Sequence, residues 1–488
     1  MIASARSPRC GDRDPHTSSR LCNVAFAAWI VFICGCAHHP VNSPLTEVDP
    51  DHGYRFTALS DDRNADSLLL LLAFSGGGTR AAALSFGVLE ELAKTQILWE
   101  GEQRRLLDQV DWISAVSGGS FTAAYFAVHG EDIFEDFESR FLDRNMQGRL
   151  LGLLLSPVNW VRLASPHFDR SDLAAEYYDR HLFEHRTFGD LLRDGRGPFL
   201  MINATDMELG FRFEFTHEQF GLLCSDLSSF PISRAVAASS SYPGLLTPIT
   251  LRNYGGTCGD TEPEWMKTFD GPGISTRRQS KVMQVRSYLD QTDRLHLHLL
   301  DGGLADNLGV RGFLDEVITR DSVWRAMQAY RLHELRKVIL IVVNASVRRD
   351  SRIGTRKNAP GAPRSIRSAI EVPINRYSFE SVELFRDHME RWGEEIGELR
   401  QMQIRQRENA DRPDTPSASI PDVEFHIIEI NFNDLPDAAE RLYFNSLPTN
   451  FKLPEGAVDR LREVAGRLLR QSPTWSDLLQ ELMGPELD

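Results

Sequence analysis

The chain has 488 residues, with 69 Asp and Glu against 54 Lys and Arg and a formal net charge of −15. That balance argues against a nucleic-acid partner and weakens general attraction to anionic lipid. Apolar residues make up 42% of the chain, enough for one large core with additions, and no internal repeat is present.

In chain order, Arg6, Arg9, Arg13 and Arg20 come first, ahead of an apolar run of eleven residues from Val24 to Cys34. Such a run suits a signal-peptide core and falls short of the roughly 20 residues that span a bilayer. It closes with Ile33-Cys34-Gly35-Cys36, which resembles a bacterial lipobox. Residues 1–35 are therefore expected to be a signal peptide, with Cys36 the lipidated first residue of the mature chain; cleavage without lipid or a short uncleaved anchor is the alternative. The resemblance implies a bacterial cell-envelope address, lipid-anchored at the outer membrane and facing the periplasm. Residues 36–66 are polar and contain proline, and are expected to be a tether. Export would leave Cys224 and Cys258 as the remaining cysteines, and one disulfide between them is expected.

Leu68 to Phe74 is a continuous apolar run, as in a strand buried on both faces of a parallel sheet. It stops at Ser75-Gly76-Gly77-Gly78-Thr79-Arg80, and a helix follows with Leu84, Val88, Leu89 and Leu92 on one side. Three glycines between strand and helix let backbone amides turn toward a ligand oxygen. The Walker spacing and its lysine are missing. The oxyanion of an acyl-transfer intermediate is the other candidate ligand, and a plain glycine turn the simpler account. Val110 to Ser114 reads as a second strand, Ser120 to Ala127 as a helix, and Ala115-Val116-Ser117-Gly118-Gly119 as the corner between them. A serine there stands exposed above a first helical turn, close to free amides and the positive helix end. Ser117 is thus a candidate nucleophile, against the simpler reading of a serine N-cap.

Leu150 to Leu155, with Trp160 and Val161 nearby, is either a lipid-facing cap or a buried helix. Leu295 to Leu300 reads as a strand delivering Asp301, followed by Gly302 and Gly303. An aspartate so placed could take the serine proton as general base, or simply form a turn. A triad would need a histidine after the acid. His333 and His388 fall in helical patterns and His426 sits mid-strand. His296 and His298 have strand parity opposite to Asp301, and no Cys, Asp or Glu completes a metal set with them at recognisable spacing. No metal and no cofactor are called for.

Four blocks in order now stand out: Gly76-Gly77-Gly78-Thr79-Arg80, Ala115-Val116-Ser117-Gly118-Gly119, Ala238-Ser239-Ser240-Ser241-Tyr242-Pro243 and Asp301-Gly302-Gly303. Together they resemble the patatin-like phospholipases, a family of lipid acyl hydrolases, over about residues 67 to 346. The pattern departs at Ala115, where the elbow's first glycine stands, and at Ala81. The resemblance implies an α/β, three-layer patatin-like fold with a mostly parallel central sheet flanked by helices. It implies a Ser117–Asp301 dyad without a catalytic histidine. It also implies an oxyanion hole from Gly76, Gly77 and Gly78, supported by Arg80, Gly118, Gly119, Gly302 and Gly303. The expected partner is a lipid at a membrane surface. The expected reaction is carboxylic ester hydrolysis of phospholipase A or lysophospholipase type. An inactive lipid-binding or envelope-scaffold protein of the same fold is the alternative.

Residues 347–488 are expected to form a C-terminal extension. Lys337 to Ala345 is another buried strand, and Arg348 to Arg367 a loop. A long helix follows with a stripe of Phe385, Met389, Trp392, Ile396 and Leu399. Asn409 to Ile420 reads as a linker, Val423 to Phe432 as a strand, and Pro454 to Leu482 as helical.

Overall fold

One eight-stranded sheet organises the described residues, and its register brings the candidate groups together. The computed structural model describes residues 42–49, 52–59, 67–166, 168–195, 197–267, 275–347, 355, 357–408 and 420–483. The expected signal peptide, Cys36 and residues 409–419 of the expected linker lie outside the described residues.

The strands are β1 (Leu68–Phe74), β2 (Val110–Val116), β3 (Phe199–Asp206), β4 (Arg212–Glu214), β5 (Ile249–Arg252), β6 (His296–Asp301), β7 (Lys337–Asn344) and β8 (Glu424–Asn431). Their spatial order is β8-β7-β1-β2-β3-β6-β5, with β4 paired to β3. Strands β8, β7, β1, β2 and β3 run parallel to one another. β3 and β7 are buried at every position; β7 accordingly reads as an apolar run apart from its ends, whereas β3 carries Asn203, Thr205 and Asp206 in its second half.

The helices that bear on the site are α1 (Thr79–Lys94), α2 (Gly118–His129), α3 (Met146–Leu155), α4 (Pro157–Leu163), α5 (Arg170–Tyr178), α6 (Ile232–Ser239), α7 (Ala362–Glu408) and α8 (Ala457–Gln471). α1 packs on α2, and α8 on α1. The result is a mixed, mostly parallel sheet flanked by helices, as expected.

Three departures matter for the site. First, β6 runs antiparallel to β3, so Asp301 does not sit at the end of a parallel strand. It arrives from the opposite direction, and it stops opposite Ala204. Val116 pairs with Asn203, so the residue after Val116 comes level with Asp301 across β3.

Second, residues 347–488 are not an appendage. β8 extends the main sheet beside β7, α8 covers α1, and the Asn450 carbonyl accepts the Thr79 N–H at 3.0 Å. α7 begins at Ala362 and runs through Pro373, so the last part of the expected Arg348–Arg367 loop is helical. The Phe385, Met389, Trp392 and Ile396 stripe is buried as core.

Third, the described part of residues 36–66 packs on the domain rather than hanging free. Tyr54 is fully buried, and its hydroxyl accepts the Leu200 N–H at 2.7 Å. Asn42 bonds to Ser225 and to both backbone groups of Arg252. Among the described residues, no helix is long and apolar enough to cross a membrane.

Candidate active site

β2 ends at Val116 and α2 begins at Gly118, leaving Ser117 alone at the corner with φ +49° and ψ −117°. A positive φ is unfavourable for a serine and persists only where the surroundings enforce it. Here the enforcement is visible. The Ser117 N–H donates to Ser239 Oγ at 2.8 Å, and Ser239 Oγ–H donates to the Asn203 carbonyl at 2.6 Å. The chain after the corner is glycine for steric reasons. A Cβ on Gly118 would lie 2.1 Å from the Gly78 carbonyl oxygen, and one on Gly119 2.7 Å from that of Phe74.

Ser117 Oγ donates to Asp301 Oδ2 at 2.8 Å. The other oxygen, Oδ1, accepts the Gly303 N–H at 2.8 Å. The backbone of Asp301 is held on both sides: its N–H donates to Ser241 O, and its carbonyl accepts from Thr205 Oγ1. Gly302 must lack a side chain, since a Cβ would fall 2.3 Å from Asn203 O. Asp301 is 6% exposed, and burial pushes its carboxyl up from 3.8 to about 6, against the lowering pull of the Gly303 and Ser117 hydrogen bonds. A carboxylate tuned near neutrality and bonded to a serine hydroxyl is suited to accepting that proton.

The glycine loop runs beside the pair. Gly77 and Gly78 have φ of +149° and +63°, conformations glycine adopts freely. Of the three expected oxyanion donors, Gly76 is a correction: its N–H is already committed to the Asn307 carbonyl at 2.9 Å. Arg80 is buried beside the pair. Its guanidinium donates to Ala345 O, Leu447 O and Thr449 Oγ1, so it ties the loop to β7 and to the C-terminal segment.

These residues line an open cavity of about 70 Å³, formed by Gly76, Gly77, Arg80, Ser117, Asp301 and Gly303 and bordered by Tyr242, Thr449 and the Glu371–Asn375 turn of α7. No histidine lines it among the described residues. Two larger clefts, of about 890 and 760 Å³, contain neither Ser117 nor Asp301. They open near Val110 and Phe199, at the far ends of β2 and β3.

Other expectations can be placed. His296 and His298 project from the exposed side of β6, opposite to Leu297, Leu299 and Asp301. His298 Nδ1 lies 3.0 Å from Thr250 Oγ1. His426 stands with Glu424 and Glu481 in a cluster whose geometry could hold a cation, but the Lys337 ammonium fills that role. It bonds Glu424, lies 2.7 Å from Glu481 and 3.3 Å from His426. The sulfur atoms of Cys224 and Cys258 are joined. Sequence reasoning gave no role to Ser239, Asn307, Thr449 or the start of α7. Ser239 lay within a quoted block, whereas nothing local to Thr449 or Glu371 points to the site.

Fold and site together define a class: an α/β protein with a serine on a strained strand–helix elbow, a buried carboxylate against its hydroxyl, and a glycine loop alongside. Residues 72–314 match the model of the patatin-like phospholipase family. Among solved structures the chain is similar to human GIVD cytosolic phospholipase A2, at 14% identity over 87% of this chain and 64% of that one, TM-score 0.42. It is similar to the same human enzyme in complex with methyl gamma-linolenyl fluorophosphonate, at 13% identity, 87% and 61% coverage, TM-score 0.40. It is also similar to VipD from Legionella pneumophila, at 11% identity, 90% and 72% coverage, TM-score 0.27. The chain thus spans about 64% of the length of the human enzyme. No curated protein sequence matches it.

Proposed function

We propose that this protein is a lipid acyl hydrolase that cleaves carboxylic esters through Ser117 and Asp301. The observation that carries the reading is the 2.8 Å hydrogen bond from Ser117 Oγ to Asp301 Oδ2, made at a strand–helix elbow held at φ +49° and ψ −117°.

In this reading Asp301 accepts the Ser117 proton as Oγ attacks the ester carbonyl. The tetrahedral oxyanion forms against the Gly77 and Gly78 amides at the head of α1, donors of a kind worth about 3–4 kcal/mol each at the barrier. Asp301 returns its proton to the leaving alcohol. Water, deprotonated by the same carboxylate, then releases the fatty acid from Ser117. No histidine, metal or cofactor takes part. Glu371, Ile374 and Asn375 of α7 line the cavity beside Ser117 and Asp301, where the acyl chain of a bound ester would pass.

Phospholipase A and lysophospholipase substrates both fit this chemistry. A bacterial-envelope address with an anchor on a lipidated Cys36 is part of the proposal, supported by the resemblance of Ile33-Cys34-Gly35-Cys36 to a lipobox. The hydrolase reading is tested by comparing purified full chain with its Ser117→Ala variant on phospholipid and lysophospholipid. Fatty-acid release by the parent alone is expected, and equal release by both would overturn it.

A further inference from the structure

We propose that the α3–α4 hairpin is the surface through which this protein docks on an anionic bilayer. The inference rests on the lipid reading above and adds to it the place of contact.

Leu150 to Leu155 was open to two readings, a buried helix or a lipid-facing cap. Only Leu150 is buried. Leu151 is 54% exposed, Leu155 64%, Val158 78%, Trp160 57% and Val161 44%. Nowhere else among the described residues do large apolar side chains stand exposed so densely, five within eleven positions. Leu151 and Leu155 are spaced i, i+4 on α3, and Val158 and Val161 i, i+3 on α4, so each helix shows one apolar stripe. The hairpin is braced from within. Asn159 Nδ2 donates to Leu153 O at 2.9 Å, and Trp160 Nε1 to Leu154 O at 3.1 Å. The apolar side chains are held outward by that frame rather than left over from poor packing. Contiguous exposed apolar surface of this kind marks an interaction site.

Charge selects the partner. The chain carries a net charge of −15, yet residues 144–166 contain Arg144, Arg149 and Arg162 and no Asp or Glu, where the average composition would place about three acids. Arg162 is engaged with Glu176, while Arg144 and Arg149 are exposed. Asp143 and Glu176 flank the hairpin, but the hairpin itself sets only basic charge among its Leu and Trp, which is the chemistry of an anionic lipid interface. Elsewhere the molecule's overall charge would be repelled by such a surface.

Position agrees. The root of the hairpin packs on two segments that lead toward the cavity walls. The Gln147 N–H donates to Phe451 O, two residues from Thr449. α5, which packs on α3, bonds through Ser171 Oγ to Thr247 O and approaches Ser241 Oγ, next to Tyr242. A bilayer seated on the hairpin would lie beside the mouth of the site.

The test uses the full chain carrying Ser117→Ala and Cys36→Ser, so that neither turnover nor an acyl anchor contributes. Co-sedimentation is measured with vesicles of phosphatidylethanolamine and phosphatidylglycerol, and with vesicles of phosphatidylcholine alone. Binding to the anionic vesicles is expected, and Leu155→Asp with Val158→Asp should lower it about tenfold or more without moving the melting temperature. Undiminished binding by that double variant would overturn the proposal, as would equal binding to phosphatidylcholine. A self-associating chain whose hairpin variants become monomeric yet still bind vesicles would assign the patch to a second copy and overturn it too. Because these proteins lack the Ser117 hydroxyl, a failed ester-hydrolysis assay leaves the outcome intact.

Discussion

Replacing Asp301 by Asn should make the protein more stable and inactive at once. The carboxylate is 6% exposed, and its pKa rises from 3.8 to about 6 because burial disfavours the charge. Two units, at 1.36 kcal/mol each, correspond to about 3 kcal/mol by which ionised Asp301 destabilises the folded state. Asparagine removes the charge and keeps both neighbours: its oxygen can accept the Gly303 N–H, and its amide can donate to Ser117 Oγ. The sign with pH follows. Below about pH 3 the wild-type residue is protonated in both states, and its neutral form matches asparagine. As pH rises the unfolded chain ionises first, and the wild-type disadvantage grows until the folded carboxyl ionises near 6. Above about pH 7 the variant should be the more stable by about 2–3 kcal/mol, read by denaturant unfolding at pH 3 and pH 8. Its ester hydrolysis should fall by at least about a thousandfold, since it no longer has a base. A variant equally or less stable at pH 8 would refute the claim that burial sets the charge state of Asp301.

Other outcomes follow from the same geometry. The kcat/KM of ester hydrolysis should rise with pH through an apparent pKa of about 6 and then level off, because the ionised carboxylate is the active form; a profile that falls across that range would contradict the role of base. Ser239→Ala removes the acceptor that holds the Ser117 amide, leaving a buried N–H unpaired at a cost of about 1–3 kcal/mol. It should lower kcat about tenfold with little change in KM, measured by steady-state kinetics. Arg80→Met leaves the Ala345 and Leu447 carbonyls without their donor. It should cost about 2–4 kcal/mol in denaturant unfolding, and a loss under about 0.5 kcal/mol would show that the guanidinium does not tie the loop to the C-terminal segment.

Much of this site is legible in the sequence because its parts are local. Glycine at 118, 119 and 302 is demanded by carbonyls within 2.1–2.7 Å of the missing Cβ atoms, and the corner at Ser117 follows from strand and helix patterns that meet there. β1 and β7 are readable because strands buried on both faces are apolar almost throughout, whereas β3, with Asn203, Thr205 and Asp206 in its second half, gives no such run and is not read from the sequence. Direction is not local. Nothing in Leu295 to Asp301 says that β6 runs against β3, since the alternation of buried and exposed residues is the same either way. Nor could spacing show that Asn307 takes the Gly76 amide, or that Leu447 and Thr449 receive Arg80. Those bonds join residues brought together only by the finished fold. Leu150 to Leu155 was ambiguous for a related reason: an apolar run is the same string whether a core or a lipid surface covers it.

Covalent capture of the proposed nucleophile bears most directly on the whole account. The folded full chain is treated with a fluorophosphonate at pH 8, digested, and the adduct located by peptide mass spectrometry. The account predicts one modified residue, Ser117, with labelling lost in Ser117→Ala and strongly slowed in Asp301→Asn. Label on another serine, or a folded chain that never reacts, would contradict it.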